Sequence, residues 1–323
     1  MKKQTMQQKV LLDLLNNTDD WRSGDAIAAN LGVTRETVWK TIKALRTAGH
    51  VIDGRKSQGY RYEMGTELNA DAIAFYSARD TPLIVQDEMR STQLEAKAWL
   101  TENTLTAPTV LIANRQTRGY GRRGRQFYSP ADSGLYMSLI LPNVYKDIAD
   151  VGLLTTGVAT KVVQVLNAFF PDKPFSLKWV NDVLLDGRKV AGILCEAVME
   201  LESSTVSAFV VGVGLNLTTG AFPDEIAQKA GAIVTETPVD RNRLAAHLMD
   251  EIVTAYPNFP SGDFLPDYRK WTMMIGKTVT LDLGARNMTG QVQAIADNGG
   301  LVVRDAMGRT QTYLSGEVTK VNF

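Results

Sequence analysis

Apolar residues recur at helical spacing from the start of the chain: Val10, Leu11, Leu14 and Leu15 fall on one face of a first helix. Ser23 is placed to cap a short second helix, Gly24–Leu31, which Gly32 breaks. Thr34 caps a third helix, in which Val38, Ile42 and Leu45 repeat at intervals of four and three before Gly49 ends it. Two short strands, around 51–52 and 60–62, follow across the turn Asp53-Gly54-Arg55-Lys56-Ser57-Gln58-Gly59. The periodicity lapses over 63–67, which reads as a linker. Beyond it, strand-like runs at 108–114, 135–141 and 207–213 alternate with helical stretches at 91–100 and 152–170. After Tyr268-Arg269-Lys270-Trp271 the pattern shortens to strands at 279–283, 288–294, 301–304 and 311–314, around turns such as Asp297-Asn298-Gly299-Gly300. The pattern thus predicts a winged helix-turn-helix over residues 1–65, a central α/β (α+β) domain over 66–270 and a small SH3-like β-barrel over 271–323.

Three helices and a hairpin over residues 6–62 make the order of a winged helix-turn-helix. The tight turn at Gly32 sets the second and third helices at an angle, so that the third can enter a major groove. Its exposed face offers Arg35, Thr37, Lys40 and Lys43 to phosphates and base edges, and Arg55 and Lys56 sit at the wing tip. The alternative is a helical module for protein contacts with solvated charges. The coincidence of turn, basic helix and basic wing favours DNA. Specific repressors generally dimerise to read two half-sites, so a dimerisation device is expected elsewhere in the chain.

Whole-chain charge decides nothing, because 35 Lys and Arg balance 35 Asp and Glu among the 323 residues. With 44% hydrophobic and 22% charged residues the composition is that of an ordinary soluble protein. Cys195, the only cysteine, excludes an internal disulfide and a cysteine zinc site, and its apolar neighbours suggest core rather than nucleophile. His50 and His247 alone leave little room for a histidine metal site or triad. No signal-peptide core and no apolar run of membrane-spanning length is present, so a cytoplasmic protein is expected, with no membrane partner.

The chemistry-bearing stretch is Gln116-Thr117-Arg118-Gly119-Tyr120-Gly121-Arg122-Arg123-Gly124-Arg125. Three glycines permit close backbone approach, and four arginines in eight residues supply guanidinium forks, a composition suited to wrapping an anion. It lacks the Gly-Lys-Ser/Thr of a Walker A loop and the distant acid of a dinucleotide-binding turn. A solvated basic loop or a nucleic-acid contact is the alternative for this motif alone. A second group, Lys178-Trp179-Val180-Asn181-Asp182, precedes the turn Asp186-Gly187 and then Arg188-Lys189, in a hairpin that brings Lys178 and Lys189 to one end of a sheet. Asp182 can hold Mg²⁺ or accept a hydrogen bond; a buried Lys–Asp pair is the structural alternative. A third, Gly212-Val213-Gly214-Leu215-Asn216, is a strand end open to close approach.

These motifs, in this order, resemble the biotin–protein ligases. The family's loop is usually Gly-Arg-Gly-Arg-Arg-Gly-Arg, followed by Lys-Trp-Pro-Asn-Asp, and the later stretches Arg188-Lys189-Val190-Ala191-Gly192-Ile193-Leu194-Cys195-Glu196 and Gly212 to Asn216 also match. The resemblance covers the whole chain, including a winged head like that of bacterial biotin operon repressors and a C-terminal Gly-Glu pair, here Gly316-Glu317. It implies biotin and ATP as substrates with Mg²⁺. The biotin carboxylate attacks the α-phosphate of ATP to give biotinyl-5'-AMP and pyrophosphate. A lysine of the biotin acceptor domain of a biotin-dependent carboxylase then takes the biotinyl group and releases AMP. Operator DNA would be the second partner, with repression of transcription as the second activity.

By the family's pattern, biotin would be met by Ser91, Thr92, Gln93, Gln116, Gly119, Tyr120, Gly121, Arg122 and Lys189. The nucleotide would be met by Arg123, Gly124, Lys178, Asn181, Asp182 and Asn216. Lys189, Arg122 and Lys178 would carry the chemistry and Asp182 the Mg²⁺. A homodimer through edge strands of the central sheet, promoted when biotinyl-AMP orders the 119–125 loop, would let DNA binding compete with acceptor docking. Three residues depart from the pattern: Tyr120 for arginine, Val180 for proline and Arg90 where aspartate is common. Tyr120 is the feature favouring a rival, a biotin-sensing repressor with weak or no turnover. Other rivals are a lipoate or octanoate ligase, which the Gly/Arg loop disfavours, and a plain repressor with an unrelated ligand domain, which leaves the motif series unexplained.

Overall fold

The amino-terminal residues fold as three helices and a hairpin, with each boundary set by a local device. Helix α1 (Met6–Leu15) opens on a capping box in which Thr5 and Gln8 each bond the other's backbone N–H. Ser23 caps α2 (Gly24–Leu31), whose C-cap Gly32 takes φ 65°, a left-handed conformation that glycine adopts freely. Thr34 caps α3 (Arg35–Thr47). The hairpin strands β1 (Ile52–Arg55) and β2 (Gly59–Tyr62) are longer than expected, since Asp53 to Arg55 pair with Gly59 to Arg61 and leave three residues for the turn. Val10, Leu11, Leu14, Ile27, Val38, Ile42 and Leu45 form the head's core. Beside it, buried Asp13 accepts two bonds from Arg22 at 3.0 and 3.1 Å and one from Asn30, joining α1 to α2 and the segment before it.

This computed structural model describes residues 4–18, 20–63, 67–145, 152–200, 205–218, 222–234, 239–284 and 286–322. Of the expected linker, residues 64–66 lie outside the described residues, and the expected boundary between the first two domains lies there too.

After α4 (Ala70–Tyr76) comes a seven-stranded sheet. Its strands are β3 (Leu83–Met89), β4 (Thr109–Gln116), β5 (Gly134–Pro142), β6 (Phe175–Lys178), β7 (Asp182–Leu185), β8 (Arg188–Met199) and β9 (Val206–Asn216), in the order β3-β4-β5-β9-β8-β7-β6. Only β3 and β4 run parallel. One face lies under α6 (Gly152–Phe169), α8 (Arg241–Ala255) and α9 (Leu265–Trp271), with Ile112, Leu135, Val211 and Val213 in the shared core. The other face carries α5 (Thr92–Glu102) on a smaller cluster of Ala96, Leu111, Ile140 and Val210. Side chains alternate along a strand, so the residues that continue the Val210 face are Gly212 and Gly214. Gln93 in the first turn of α5 reaches Gly212 but the helix goes no further, and the end of the sheet around Gly214 becomes the site.

A single turn, α7 (Asp224–Ala227), precedes α8. At the carboxyl end, β10 (Thr278–Asp282), β11 (Asn287–Ile295), β12 (Leu301–Arg304), β13 (Thr310–Tyr313) and β14 (Glu317–Asn322) pair antiparallel in the order β13-β12-β11-β10-β14, compatible with an SH3-like fold. The sequence pattern predicts four strands; β14 is a fifth, and it pairs across more than thirty residues with β10. The large core continues into this sheet through Val279, Leu281, Val292 and Leu301, and Trp179 Nε1 donates to Gly299 O at 2.9 Å. No helix among the described residues is long and apolar enough to cross a membrane.

Candidate active site

The pocket floor is the uncovered face of β5, β9 and β8. Ser138, Gly212 and Leu194 form one row across the three strands; Tyr136, Gly214 and Gly192 form the next. The glycines are needed for close approach. A Cβ on Gly212 would stand 2.8 Å from Gln93 Oε1, and one on Gly214 2.7 Å from the Phe127 ring. Over the floor, buried polar groups at the start of α5 satisfy one another. Gln93 Nε2 donates to Val210 O and Leu194 O, and its Oε1 accepts from Ser138 Oγ at 2.9 Å. Ser138 Oγ is also within 2.8 Å of Thr92 Oγ1. Gln116 Oε1 accepts from Thr92 N at 2.8 Å while its amide reaches Ser129. Such a network fixes hydroxyl and amide groups in place at the pocket wall, where Ser91 joins them.

The Gly/Arg loop closes the pocket from above. Gly121 N donates to Arg125 O, Phe127 N donates to Gly119 O, and Arg123 and Gly124 take the left-handed values φ 57° and 70° in a single 3₁₀ turn, Arg122–Gly124. Arg123 pairs with Asp282 and Arg125 with Glu317, so the loop is tied to the C-terminal sheet.

Opposite the polar network lies the charged end. Lys178 ends β6, Asp182 begins β7, Lys189 lies on β8, and Arg122 enters from the loop. Lys189 Nζ stands 2.5 Å from Asp182 Oδ1, and Arg122 Nη1 donates to Asn181 Oδ1 at 3.4 Å. Burial lowers the affinity of both Arg122 and Lys178 for their protons, and the neighbouring Asp182 carboxylate works against that fall. Both cations are therefore partly stripped of water with incomplete compensation, a setting in which an anion is strongly attracted. The wall as a whole carries Arg122, Arg123, Arg125, Lys178 and Lys189 against Asp182 and Glu317. Asp182 Oδ1 is buried and, beyond its ion pair with Lys189, takes no hydrogen bond from the described residues. An under-coordinated carboxylate oxygen beside a phosphate-sized basic cleft fits Mg²⁺, which commonly takes one or two carboxylates and completes its shell with water and phosphate. No group of three His, Cys, Asp or Glu able to enclose a metal exists among the described residues.

The structure brings Ser91, Thr92, Gln93, Gln116, Tyr120, Gly121, Arg122, Arg123, Lys178, Asn181, Asp182 and Lys189 to one cavity wall. Gly119, Gly124 and Asn216 lie outside it; the Asn216 amide donates instead to Gly231 O and Lys189 O, holding the backbone behind Lys189. Several wall residues are not evident from the motifs, Ser138 and Phe127 among them. Ser138 is the one serine or threonine within the apolar run of β5, a signal the sequence does contain. Phe127 shows its place only once β8 and β9 are paired beneath it. Cys195 has its thiol pushed up to about 12 by burial and stays a neutral core group.

In the head, Arg35, Lys40 and Lys43 project from α3, and Arg55 and Lys56 are exposed on the wing. Thr37 is half-buried with its hydroxyl 2.9 Å from that of Thr34. Trp39, not singled out from sequence, stands 54% exposed between them with Lys43 over its ring, an exposure unusual for so large an apolar group.

Known proteins resemble this chain along its whole length. The biotin/lipoate A/B protein ligase family matches residues 85–216, a helix-turn-helix domain matches 7–61, and the biotin protein ligase C-terminal domain matches 274–321. The bifunctional ligase/repressor BirA of Bacillus spizizenii is 30% identical, over 95% of this chain and 96% of its own. The Escherichia coli protein of the same description is 28% identical over 99% and 98%. The biotin protein ligase of Aquifex aeolicus, solved with biotin and ATP, superposes with a TM-score of 0.62 at 28% identity, covering 74% of this chain and 97% of that one.

Proposed function

The chain belongs to the family of bifunctional biotin ligases and repressors, and on that premise we propose that its pocket joins biotin to AMP and passes the biotinyl group to a lysine of a biotin carboxyl carrier domain. One observation carries the reading: a neutral, hydrogen-bonded wall and a desolvated cationic wall face each other across a glycine floor. The first suits the polar, uncharged ureido ring of biotin; the second suits a carboxylate and a polyphosphate, both anionic.

Ser91, Thr92, Gln93 and Gln116 orient the ring. Gly121 and Arg122 close over the carboxylate, and Lys189 neutralises the oxygens between which the new bond forms. As a carboxylate oxygen attacks the α-phosphorus, the bond to the bridging oxygen breaks and pyrophosphate leaves with that electron pair. Arg122, Lys178 and Lys189 stabilise the charge that spreads over the phosphoryl oxygens, a task preorganised cations perform without reorganising in the transition state. Lys178, Asn181, Asp182 and Arg123 hold the nucleotide. Mg²⁺ at Asp182 would supply further charge neutralisation on the phosphates. In the second half the acceptor amine attacks the mixed anhydride and AMP departs. No protein nucleophile is required. Biotin-dependent release of pyrophosphate from ATP by the purified protein tests this; release that ignores biotin would refute it.

The second activity is repression. Operator DNA would be met by Arg35, Lys40, Lys43, Arg55, Lys56 and Trp39 of the head, with Thr37 at the start of the reading helix. Replacing Arg35 or Lys56 with alanine is expected to weaken operator binding and to flatten the slope of log affinity against log salt by about 0.9 for each phosphate no longer neutralised. An unchanged slope in filter-binding titrations would remove that residue from the DNA interface. The DNA-bound form is a homodimer formed through an edge strand of the seven-stranded sheet, and the protein works in the cytoplasm. Sedimentation showing an unchanged monomer on operator DNA with biotin and ATP present would exclude that dimer.

A further inference from the structure

Tyr120 stands where the family usually has arginine, yet its side chain is not idle. Its hydroxyl donates to Glu196 Oε2 at 2.9 Å, and the second carboxylate oxygen accepts from Lys97 Nζ at 3.0 Å. Lys97 also lies 5.5 Å from the centre of the Tyr120 ring, within cation–π range. The three residues come from three elements: the loop, β8 and α5. Glu196 faces the same side of the sheet as Leu194 and Val210, one row beyond the pocket floor. Burial acts to raise the Glu196 carboxyl, but hydrogen bonds from Gln93, Lys97 and Tyr120 outweigh it and hold the group below the usual carboxylate range. The acceptor for Tyr120 is therefore a carboxylate anion, and hydrogen bonds to charged groups are the stronger kind. Neither Glu196 nor Lys97 lines the cavity, whereas Tyr120 does.

We propose that Glu196 and Lys97 are positioning residues for the biotinyl ligand: through Tyr120 they pin the first turn of the Gly/Arg loop over the pocket and slow the escape of biotinyl-AMP. The proposal rests on the reading of this pocket as the biotinyl-AMP site. The far side of the loop is already tied by Arg123 and Arg125 to the C-terminal sheet. With Tyr120 fixed as well, the loop is held at both ends, and the ligand leaves only when one tie breaks. The Tyr120–Glu196 bond is the tie on the biotin side, because Glu196 pairs across the strands with Val210, whose carbonyl accepts from Gln93 of the neutral wall. Lys97 acts one step further out, holding the carboxylate in the rotamer that meets the tyrosine.

The test is the release rate of preformed, labelled biotinyl-AMP from the full-length protein, chased with unlabelled ligand. Tyr120→Phe and Glu196→Ala are each expected to release about tenfold faster, which is about 1.4 kcal/mol. The double variant should release no faster than the faster single, since both remove one bond. Lys97→Met should give a smaller acceleration. Should Glu196→Ala fail to fold, Glu196→Gln replaces it, retaining an oxygen acceptor but losing the Lys97 ion pair, and should fall between wild type and Tyr120→Phe. Melting temperatures serve as the control for a purely structural role. Variants that melt earlier but release at the wild-type rate would overturn the proposal, as would single effects that multiply in the double variant. A wild-type protein that retains no biotinyl-AMP would overturn the reading of the pocket itself, and this inference with it.

Discussion

Lys189→Ala and Arg122→Ala each lower the rate of biotinyl-AMP formation by about a hundred- to a thousandfold, the usual consequence of removing one preorganised group from a developing anion. The expectation follows from what surrounds the two cations. Arg122 is desolvated, its side-chain bond to Asn181 is long, and its charge is only partly compensated by Asp182. Lys189 is held by backbone bonds to Lys229 and Gly231 and aimed at Asp182. Removing Lys189 does more than delete a charge: it takes away the cation paired with the Asp182 carboxylate, so repulsion of the phosphates adds to the lost attraction. Arg122→Lys keeps a positive charge but loses the planar fork, and recovers only part of the rate. Single-turnover pyrophosphate release measures this step apart from transfer. Variants within a factor of a few of the wild type would place the chemistry elsewhere.

The largest loss of stability is expected at Arg241, the first residue of α8, which is 3% exposed. Its Nη1 donates to Asn114 Oδ1 at 2.8 Å and to Gly134 O at 3.0 Å, and Nη2 reaches Asp132 Oδ1 at 3.3 Å. The guanidinium thereby joins β4, the start of β5 and the turn between them to the helix layer. Arg241→Ala takes one donor from Asn114 Oδ1, which keeps Asp132 N, and one from Gly134 O, and opens a void, while the exposed Asp132 returns to water; the expected cost is about 2–4 kcal/mol. For a domain of this size each kcal/mol corresponds to roughly 2–4 °C of melting temperature, so a shift of roughly 10 °C is expected. Calorimetry of Arg241→Ala and Arg241→Lys distinguishes loss of the fork from loss of the charge. A melting temperature unchanged in the alanine variant would mean that the network carries no net stabilisation.

Much of this molecule can be read from sequence because its signals are local. The capping box at Thr5, the Ser23 and Thr34 caps and the break at Gly32 lie within a few residues of the helices they bound. The turn Asp186-Gly187, with φ 50° and 76°, likewise announces its own hairpin. The pocket's composition is legible where glycines and arginines cluster in one loop. What stays hidden depends on strand pairing. Ser138 meets Gln93 only because β5 runs beneath α5, and Phe127 meets Gly214 only because the loop folds back over β9. Asn216 matches a motif and follows Gly212 and Gly214 on the same side of β9, yet its amide is taken up by Lys189 O and Gly231 O, a pairing set by chain segments distant in sequence. The fifth strand of the C-terminal sheet escapes the pattern for the same reason: Glu317–Asn322 is short and gains its partner from β10.

Ligase activity is tested most directly by transfer of biotin to a purified biotin carboxyl carrier domain by the full-length protein with ATP and Mg²⁺, read by mass spectrometry of the acceptor. A mass gain of one biotinyl group on a single lysine is expected, dependent on biotin and ATP, with AMP and pyrophosphate formed in step and the gain lost in Lys189→Ala. An acceptor left unmodified by wild-type protein that binds biotin and ATP would contradict it, and would leave a biotin-responsive repressor without ligase turnover.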